Sequence, residues 1–229
     1  MKPIDKNEQD AEKLAAARAA VAFIKDRDFV GLGTGSTATF AIREIGEMVK
    51  GGLKIKAVAS SIRTAELAQS YGIEIVDLGQ VSSLDISIDG ADEFTEDLNL
   101  IKGGGGALFR EKIIASLSKN SIIITDTTKK VKQLGAFTVP IEVIPLAYQY
   151  VFDQIESLGG KARLRKAGNK NFITDNGNYI IDADFGLIAA PDQLAIALNQ
   201  IDGLLAHGLF IGLTQKVIMS QGSHIIIFD

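Results

Sequence analysis

Four segments of this chain bring anion-binding or proton-carrying groups together at short spacing. The first is GLGTGSTA, Gly31 to Ala38, entered from an apolar run and left through a helical pattern. Glycines permit positive φ and close backbone approach, so successive N–H groups can converge on one anion. The start of a helix adds about half a positive charge. Thr34, Gly35, Ser36 and Thr37 thus read as a phosphate cradle; the plainer alternative is a glycine turn with a hydroxyl N-cap. The same letters fit a G-x-G-x-x-A dinucleotide fingerprint, which expects an acid about 20 residues on. Ala59-Ser60-Ser61-Ile62-Arg63 supplies none, which disfavours NAD, although Arg63 leaves a 2′-phosphate open.

The second segment is DISIDGADEF, Asp85 to Phe94. Leu84, Ile86 and Ile88 alternate with polar residues as in a strand, and Asp89 stands at its C-terminal end, where parallel α/β sheets bind ligands. Asp89, Asp92 and Glu93 crowd three carboxylates into five residues, which predicts a raised pKa for at least one unless a cation intervenes. Acid–base work on a polar substrate or a divalent metal would use them; a solvated Asp-Gly turn is the alternative. The third segment is KGGGGALFREK, Lys102 to Lys112. Four consecutive glycines are costly in chain entropy and suggest a backbone that approaches something closely. A cation at Lys102, a row of amides and a carboxylate at Glu111 can together bind and deprotonate an oxygen-rich substrate. The fourth, TDTTKK, puts Lys129 just after a strand, where it reads equally as a cation for an anion at the sheet edge or as a plain surface lysine. His207, His224, Lys161, Arg163 and Arg165 suggest no site, and the Lys/Arg run over 161–170 reads as a solvated face.

The elements that must carry these groups follow from periodicity. Helical spacing covers 10–26, 36–50 and 61–71; strands are expected at 29–32, 53–59 and 73–78. That alternation predicts a parallel sheet with helices on its faces, continued by strands at 84–88 and 121–125. Beyond residue 130 the pattern changes. A short strand lies between Pro140 and Pro145, a helix covers 147–157, a hairpin is expected to turn at Asn176-Gly177, and a helix covers 191–200. The expected fold class is α/β: a Rossmann-like parallel-sheet main domain (1–130 plus 207–229) with a smaller α+β domain (131–206) inserted near the C-terminus.

Composition limits the chemistry. The 229 residues are 46% apolar and 23% charged, as in globular chains. A net charge of −4 argues against nucleic-acid and anionic-membrane binding. With no cysteine and two histidines, thiol nucleophiles, cysteine–metal sites and His-rich sites are out of reach. MKPIDKNEQDAEK has no apolar signal region, and no apolar run reaches about 20 residues. A soluble, cytoplasmic protein is expected.

GTGSTA, then DGADE, then KGGGGAL with REK following, in this order and spacing, resembles the type A ribose-5-phosphate isomerases. The likeness extends to PIEVIP, TDNGN and HGLF, and so over nearly the whole chain. It implies an aldose–ketose isomerase that interconverts ribose 5-phosphate and ribulose 5-phosphate without metal or organic cofactor, acting as a homodimer or homotetramer. It also implies substrate contacts at Thr34, Gly35, Ser36 and Thr37, at Asp89, Gly90, Ala91 and Asp92, at Lys102, Gly103, Gly104 and Gly105, and at Lys129, with a looser match at Lys13. Glu111 takes the place of the family's general base, with Asp89, Asp92 and Lys102 as its catalytic companions. Gly106, often alanine in relatives, touches no assigned role. A sugar-phosphate sensor would explain the phosphate loop without needing Glu111; a CoA-transferase-like enzyme would use a glutamate as nucleophile.

Overall fold

A computed structural model describes residues 5–229. The chain opens with α1 (Lys6–Val21) and then alternates: β1 (Phe29–Leu32), α2 (Ser36–Lys50), β2 (Lys56–Ala59), α3 (Ile62–Ser70), β3 (Glu74–Ile75) and β4 (Leu84–Asp89). Two short strands, β5 (Glu93–Phe94) and β6 (Leu100–Ile101), precede α4 (Leu108–Leu117), which runs straight into β7 (Ser118–Asp126). Then come β8 (Val139–Val143), α5 (Tyr148–Ser157), β9 (Lys161–Leu164), the small pair β10 (Lys166–Ala167) and β11 (Lys170–Asn171), β12 (Tyr179–Asp184) and α6 (Pro191–Asn199). Four strands close the chain: β13 (Leu204–His207), β14 (Leu209–Phe210), β15 (Lys216–Gln221) and β16 (His224–Phe228).

The main sheet has the order β16-β15-β7-β4-β1-β2-β3. All its neighbours run parallel except β16, which is antiparallel to β15 at one edge. Counted outward from β1, this is the doubly wound order in which the winding direction reverses between β1 and β4. Side chains alternate between two buried faces. Ile122 and Ile124 of β7 and Ile218 of β15 pack with Ala16, Ala17 and Ala20 of α1 and with Ile42 and Ile45 of α2. Ile123, Val217 and Met219, one residue out of phase, pack on the other face with Phe94, Leu100 and Phe210.

A second sheet, β13-β8-β12-β9, is antiparallel throughout and holds α5 and α6 against it through Val151, Ile155, Ala195 and Leu198. A three-stranded sheet, β14-β6-β5, joins the two halves, with Leu209 opposite Ile101.

Several elements differ from expectation. The second and third strands are shorter. Lys54 donates its N–H to Asp26 instead of a neighbouring strand, and after β3 the Asp77 side chain caps Gly79 and turns the edge into a 3-10 turn. α1 lies earlier than the periodicity suggested; the segment after it is a polar turn with Arg27 at φ 70° and Asp28 capping Lys25. Asn176-Gly177 does turn the chain, with Gly177 at φ 80° donating to the Thr174 carbonyl. Among the described residues no hairpin ladder flanks it, however, and β12 pairs instead with β8 and β9. The turn is organised instead by the buried Glu142, whose Oε1 accepts from Thr174 Oγ1, Asn176 Nδ2 and Asn178 Nδ2 at 2.9, 3.0 and 2.9 Å. Among the described residues no helix is long and apolar enough to cross a membrane.

Candidate active site

The site forms where the winding reverses, at the C-terminal ends of β1 and β4. Gly33 leaves β1 with its N–H on the Ile88 carbonyl, and Asp89 ends β4 beside it. Asp89 Oδ1 accepts the amides of Thr34 (3.2 Å) and Gly90 (2.7 Å). Its Oδ2 lies 3.0 Å from Lys102 Nζ. Lys102 follows β6, donates to the Gly90 carbonyl and lies 3.2 Å from Glu111 Oε2. Among the described residues the buried Glu111 Oε2 has no hydrogen-bond partner, and its contact with Lys102 is an ion pair. The Lys102 and Glu111 side chains are each only 4% exposed.

Two largely buried carboxylates share one buried ammonium, and this sets their protonation. Burial pushes Glu111 up to about 8; the charge of Asp89 adds to that rise and Lys102 opposes it. Burial also raises Asp89, against the pull of Lys102 and the Gly90 and Thr34 amides. For Lys102 burial works to lower the value, but the charges of Asp89 and Glu111 outweigh it and hold the amine well above its ordinary range. The ammonium therefore stays charged while one proton is easily gained or lost at Glu111, the property of a proton carrier near neutral pH.

Above this cluster opens a cleft of about 140 Å³. It is lined by Thr34, Gly35, Ser36 and Thr37, by Gly90, Ala91 and Asp92, by Lys102, Gly103, Gly104 and Gly105, and by Glu111 and Lys129. The residues singled out in the sequence thus meet around one space, with Asp89 beneath its floor. Lys13 lines the cleft as well, and beside it stands Gln9, which the sequence reading did not name. α2 begins at Ser36 with no side-chain cap, leaving its first-turn amides available to an anion.

The roles are more divided than the spacing suggested. The Thr34 hydroxyl is saturated by Ser60, Ser61 and Thr64 Oγ atoms at 2.7, 2.9 and 3.0 Å, which leaves Ser36 and Thr37 as the hydroxyls at the helix start. Arg63 is exposed and lines a neighbouring cavity of about 420 Å³, outside the cleft. Nor do Asp89, Asp92 and Glu93 form a carboxylate cluster. Asp92 accepts the Gly104 amide at 2.8 Å. Glu93 points elsewhere and is consumed by the amides of Gly135 (2.8 Å) and Phe137 (2.6 Å). The carboxylate that shares a cation with Asp89 is Glu111, from a different element.

Two basic residues have duties that the sequence did not show. Lys112, next to Glu111, turns into the interior. Its Nζ donates to the Leu209 carbonyl at 2.9 Å, lies 3.3 Å from His207 Nδ1 and sits 5.0 Å from the centroid of the Phe210 ring. The same ring lies 5.4 Å from Lys102 Nζ. Burial lowers Lys112 to about 7 and, with the Lys112 charge second, lowers His207 to about 3. Arg165, expected on a solvated face, reaches the carbonyls of Gly103 and Gly104 at 3.0 Å each. Among the described residues no group of three His, Asp or Glu side chains is placed to hold a metal ion; between Asp89 and Glu111 the cation is the Lys102 ammonium.

A doubly wound sheet with a buried acid–lysine–acid cluster under two glycine loops, at its reversal point, is a small-molecule site of the α/β class. Comparison with known proteins narrows the class. The family model described as ribose 5-phosphate isomerase A (phosphoriboisomerase A) matches residues 56–224. A ribose-5-phosphate isomerase A of Ruegeria sp. (strain TM1040) is 46% identical over 97% of this chain and 86% of its own length. Among solved structures, a D-ribose-5-phosphate isomerase in complex with phospho-erythronic acid superposes with TM-score 0.93 at 38% identity, covering 96% of this chain and 99% of the other. The Plasmodium falciparum ribose 5-phosphate isomerase gives 0.91 at 34% identity, covering 96% and 97%. This chain belongs to the ribose 5-phosphate isomerase A family.

Proposed function

We propose that the protein interconverts D-ribose 5-phosphate and D-ribulose 5-phosphate through an enediolate, with Glu111 as the proton carrier. The observation that carries this reading is the buried contact of Lys102 with both Asp89 and Glu111 on the floor of the cleft. A solved relative in complex with phospho-erythronic acid, a phosphorylated sugar acid, supports the substrate class.

In this reading the substrate phosphate sits against the first-turn amides of α2, the Ser36 and Thr37 hydroxyls, and the ammonium groups of Lys13 and Lys129. Asp89 exchanges protons with the sugar hydroxyls to open the furanose ring. Ionised Glu111 then removes the proton from carbon 2 of the open aldose. Electron density moves onto the carbonyl oxygen at carbon 1, where Lys102 and the glycine-loop amides meet the developing charge. A hydroxyl proton shifts from the oxygen on carbon 2 to the oxygen on carbon 1, and Glu111 returns its proton to carbon 1, leaving the ketose. No proton or electron is gained or lost overall, so no redox cofactor is called for. A positioned base of this kind is worth about 10²- to 10⁴-fold.

The test is conversion of ribose 5-phosphate in D2O, followed by NMR. Solvent deuterium at carbon 1 of the ribulose 5-phosphate formed is expected, because a carboxylic acid exchanges with water between the two transfers. Complete retention of the substrate hydrogen, in product that Glu111→Gln forms as fast as the wild type, would point to direct hydride transfer and refute the enediolate; no product would refute the activity.

A further inference from the structure

We infer that Arg165 and Asp182 form a positioning clamp which sets the direction of the catalytic glycine loop from outside the cleft. The inference rests on the isomerase reading above and deepens it.

Arg165 follows β9 in the second sheet, whereas the loop it holds follows β6 in the three-stranded sheet. Its guanidinium is divided between two tasks. Nε and Nη2 grip the two carboxylate oxygens of Asp182, on the adjacent strand β12, with Nε 2.9 Å from Oδ2. Nη1 donates to the carbonyl oxygens of both Gly103 and Gly104 at 3.0 Å. The Phe172 ring, 5.7 Å from the guanidinium carbon, packs against it and also fills the space beside Gly106.

The geometry of a trans peptide turns this grip into direction. Its C=O and N–H point opposite ways across one plane. The carbonyl of Gly103 is on Arg165 and the N–H of the same peptide, on Gly104, is on Asp92 at 2.8 Å. One plane is thereby held at both ends. In the next peptide Arg165 holds the Gly104 carbonyl, so the Gly105 N–H must point away from the guanidinium. Gly105 lines the cleft, and among the described residues its amide has no protein acceptor. Gly106 N–H on the Gly103 carbonyl at 2.9 Å closes the turn around that plane. The central peptide of such a turn can flip with this bond intact, at little steric cost between glycines, and the grip of Arg165 on the Gly104 carbonyl opposes the flip. Arg165 itself does not line the cleft. It acts on the reaction only through the amide it aims.

A lysine cannot replace it, since one ammonium cannot bracket a carboxylate and reach two carbonyls as a planar fork does. The experiment compares ribose 5-phosphate turnover by the wild type, Arg165→Lys, Arg165→Ala and Arg163→Met, which removes an exposed cation two residues before Arg165, in β9. Expected are a fall in kcat of about 100-fold for both Arg165 variants, the scale of a small misplacement near reacting atoms, with KM little changed, the melting temperature nearly kept, and Arg163→Met active. Guanidinium ion added at millimolar, non-denaturing concentration should partly restore kcat to Arg165→Ala and leave Arg165→Lys unmoved. Normal kcat in the Arg165 variants with an active wild type would overturn the clamp alone. So would a loss that tracks melting temperature and is not rescued, which marks a purely structural residue, or a rise confined to KM, which marks a substrate contact. An inactive wild type would overturn the isomerase reading and the clamp with it.

Discussion

Gly33 has no side chain because Asp89 fills the place one would take. A Cβ on Gly33 would stand 1.9 Å from Asp89 Oδ1 and 2.6 Å from the Asp89 Cα. Gly33 directly follows β1 and Asp89 ends the neighbouring β4, and their close approach puts the carboxylate at the reversal point of the sheet.

The first prediction follows directly. Gly33→Ala must push Asp89 off the Thr34 and Gly90 amides and away from Lys102. Overpacking of this kind costs about 1–3 kcal/mol. Urea denaturation should show that loss, and turnover should fall by about 100-fold, since the displaced group adjoins the chemistry. An alanine variant with unchanged midpoint and rate would mean that Asp89 can move freely without consequence.

A second prediction concerns pH. With Glu111 raised to about 8 and serving as the proposed base, kcat/KM should rise with pH through a limb near that value, because a general base acts only when ionised. After burial, the charge of Asp89 is the largest cause of the rise. Asp89→Asn removes that charge and leaves Lys102 to Glu111 alone; both effects favour the carboxylate. The limb should move to lower pH, even though the rate at its plateau falls. A limb that stays in place in the variant would show that it belongs to another group.

Third, Lys112 should leave a signature in stability. Burial depresses this base in the folded protein from 10.5 to about 7. The unfolded chain therefore binds its proton more readily than the folded one between those values, and folding loses stability as pH falls from about 10.5 to about 7. Lys112→Met abolishes this dependence. The melting temperature of the variant relative to wild type should thus decline as pH is raised from 7 toward 10. The slope is the readout, because the lost bonds to Leu209 and His207 add an offset. A flat difference would show that Lys112 is charged and solvated at neutral pH.

Much of this site was legible in the sequence because it is built locally. Strand–glycine–helix at residues 29–50 has only one good arrangement, and the apolar alternation at Leu84, Ile86 and Ile88 points Asp89 to the end of a strand. Glycines 103–106 announce themselves by their cost. What stayed hidden depends on contacts between residues far apart in the chain. Asp92 and Glu93 are neighbours in sequence, but they sit just before and at the start of β5 and take different partners, Gly104 for one and Gly135 and Phe137 for the other. Nothing near Arg165 betrays that it crosses to Gly103, 62 positions away. Lys112 lies in an ordinary-looking Arg-Glu-Lys turn, and only the packing of Phe210 and His207 shows that its amine is interior.

The most direct test of the account is ribose 5-phosphate turnover by wild type and Glu111→Gln, side by side in EDTA. The carboxylate has a raised value when folded, so its contribution to stability is present below about 4.5 and lost as pH rises through about 8. The glutamine variant should accordingly gain melting temperature on the wild type over that range, which certifies its fold. Wild type should turn over undiminished in EDTA, since an ammonium already lies between the carboxylates, and the variant should be slower by about 10²- to 10⁴-fold. A folded glutamine variant with near-normal turnover, or wild-type activity that disappears in EDTA and returns with magnesium, would contradict the assignment of Glu111 as a metal-independent proton carrier.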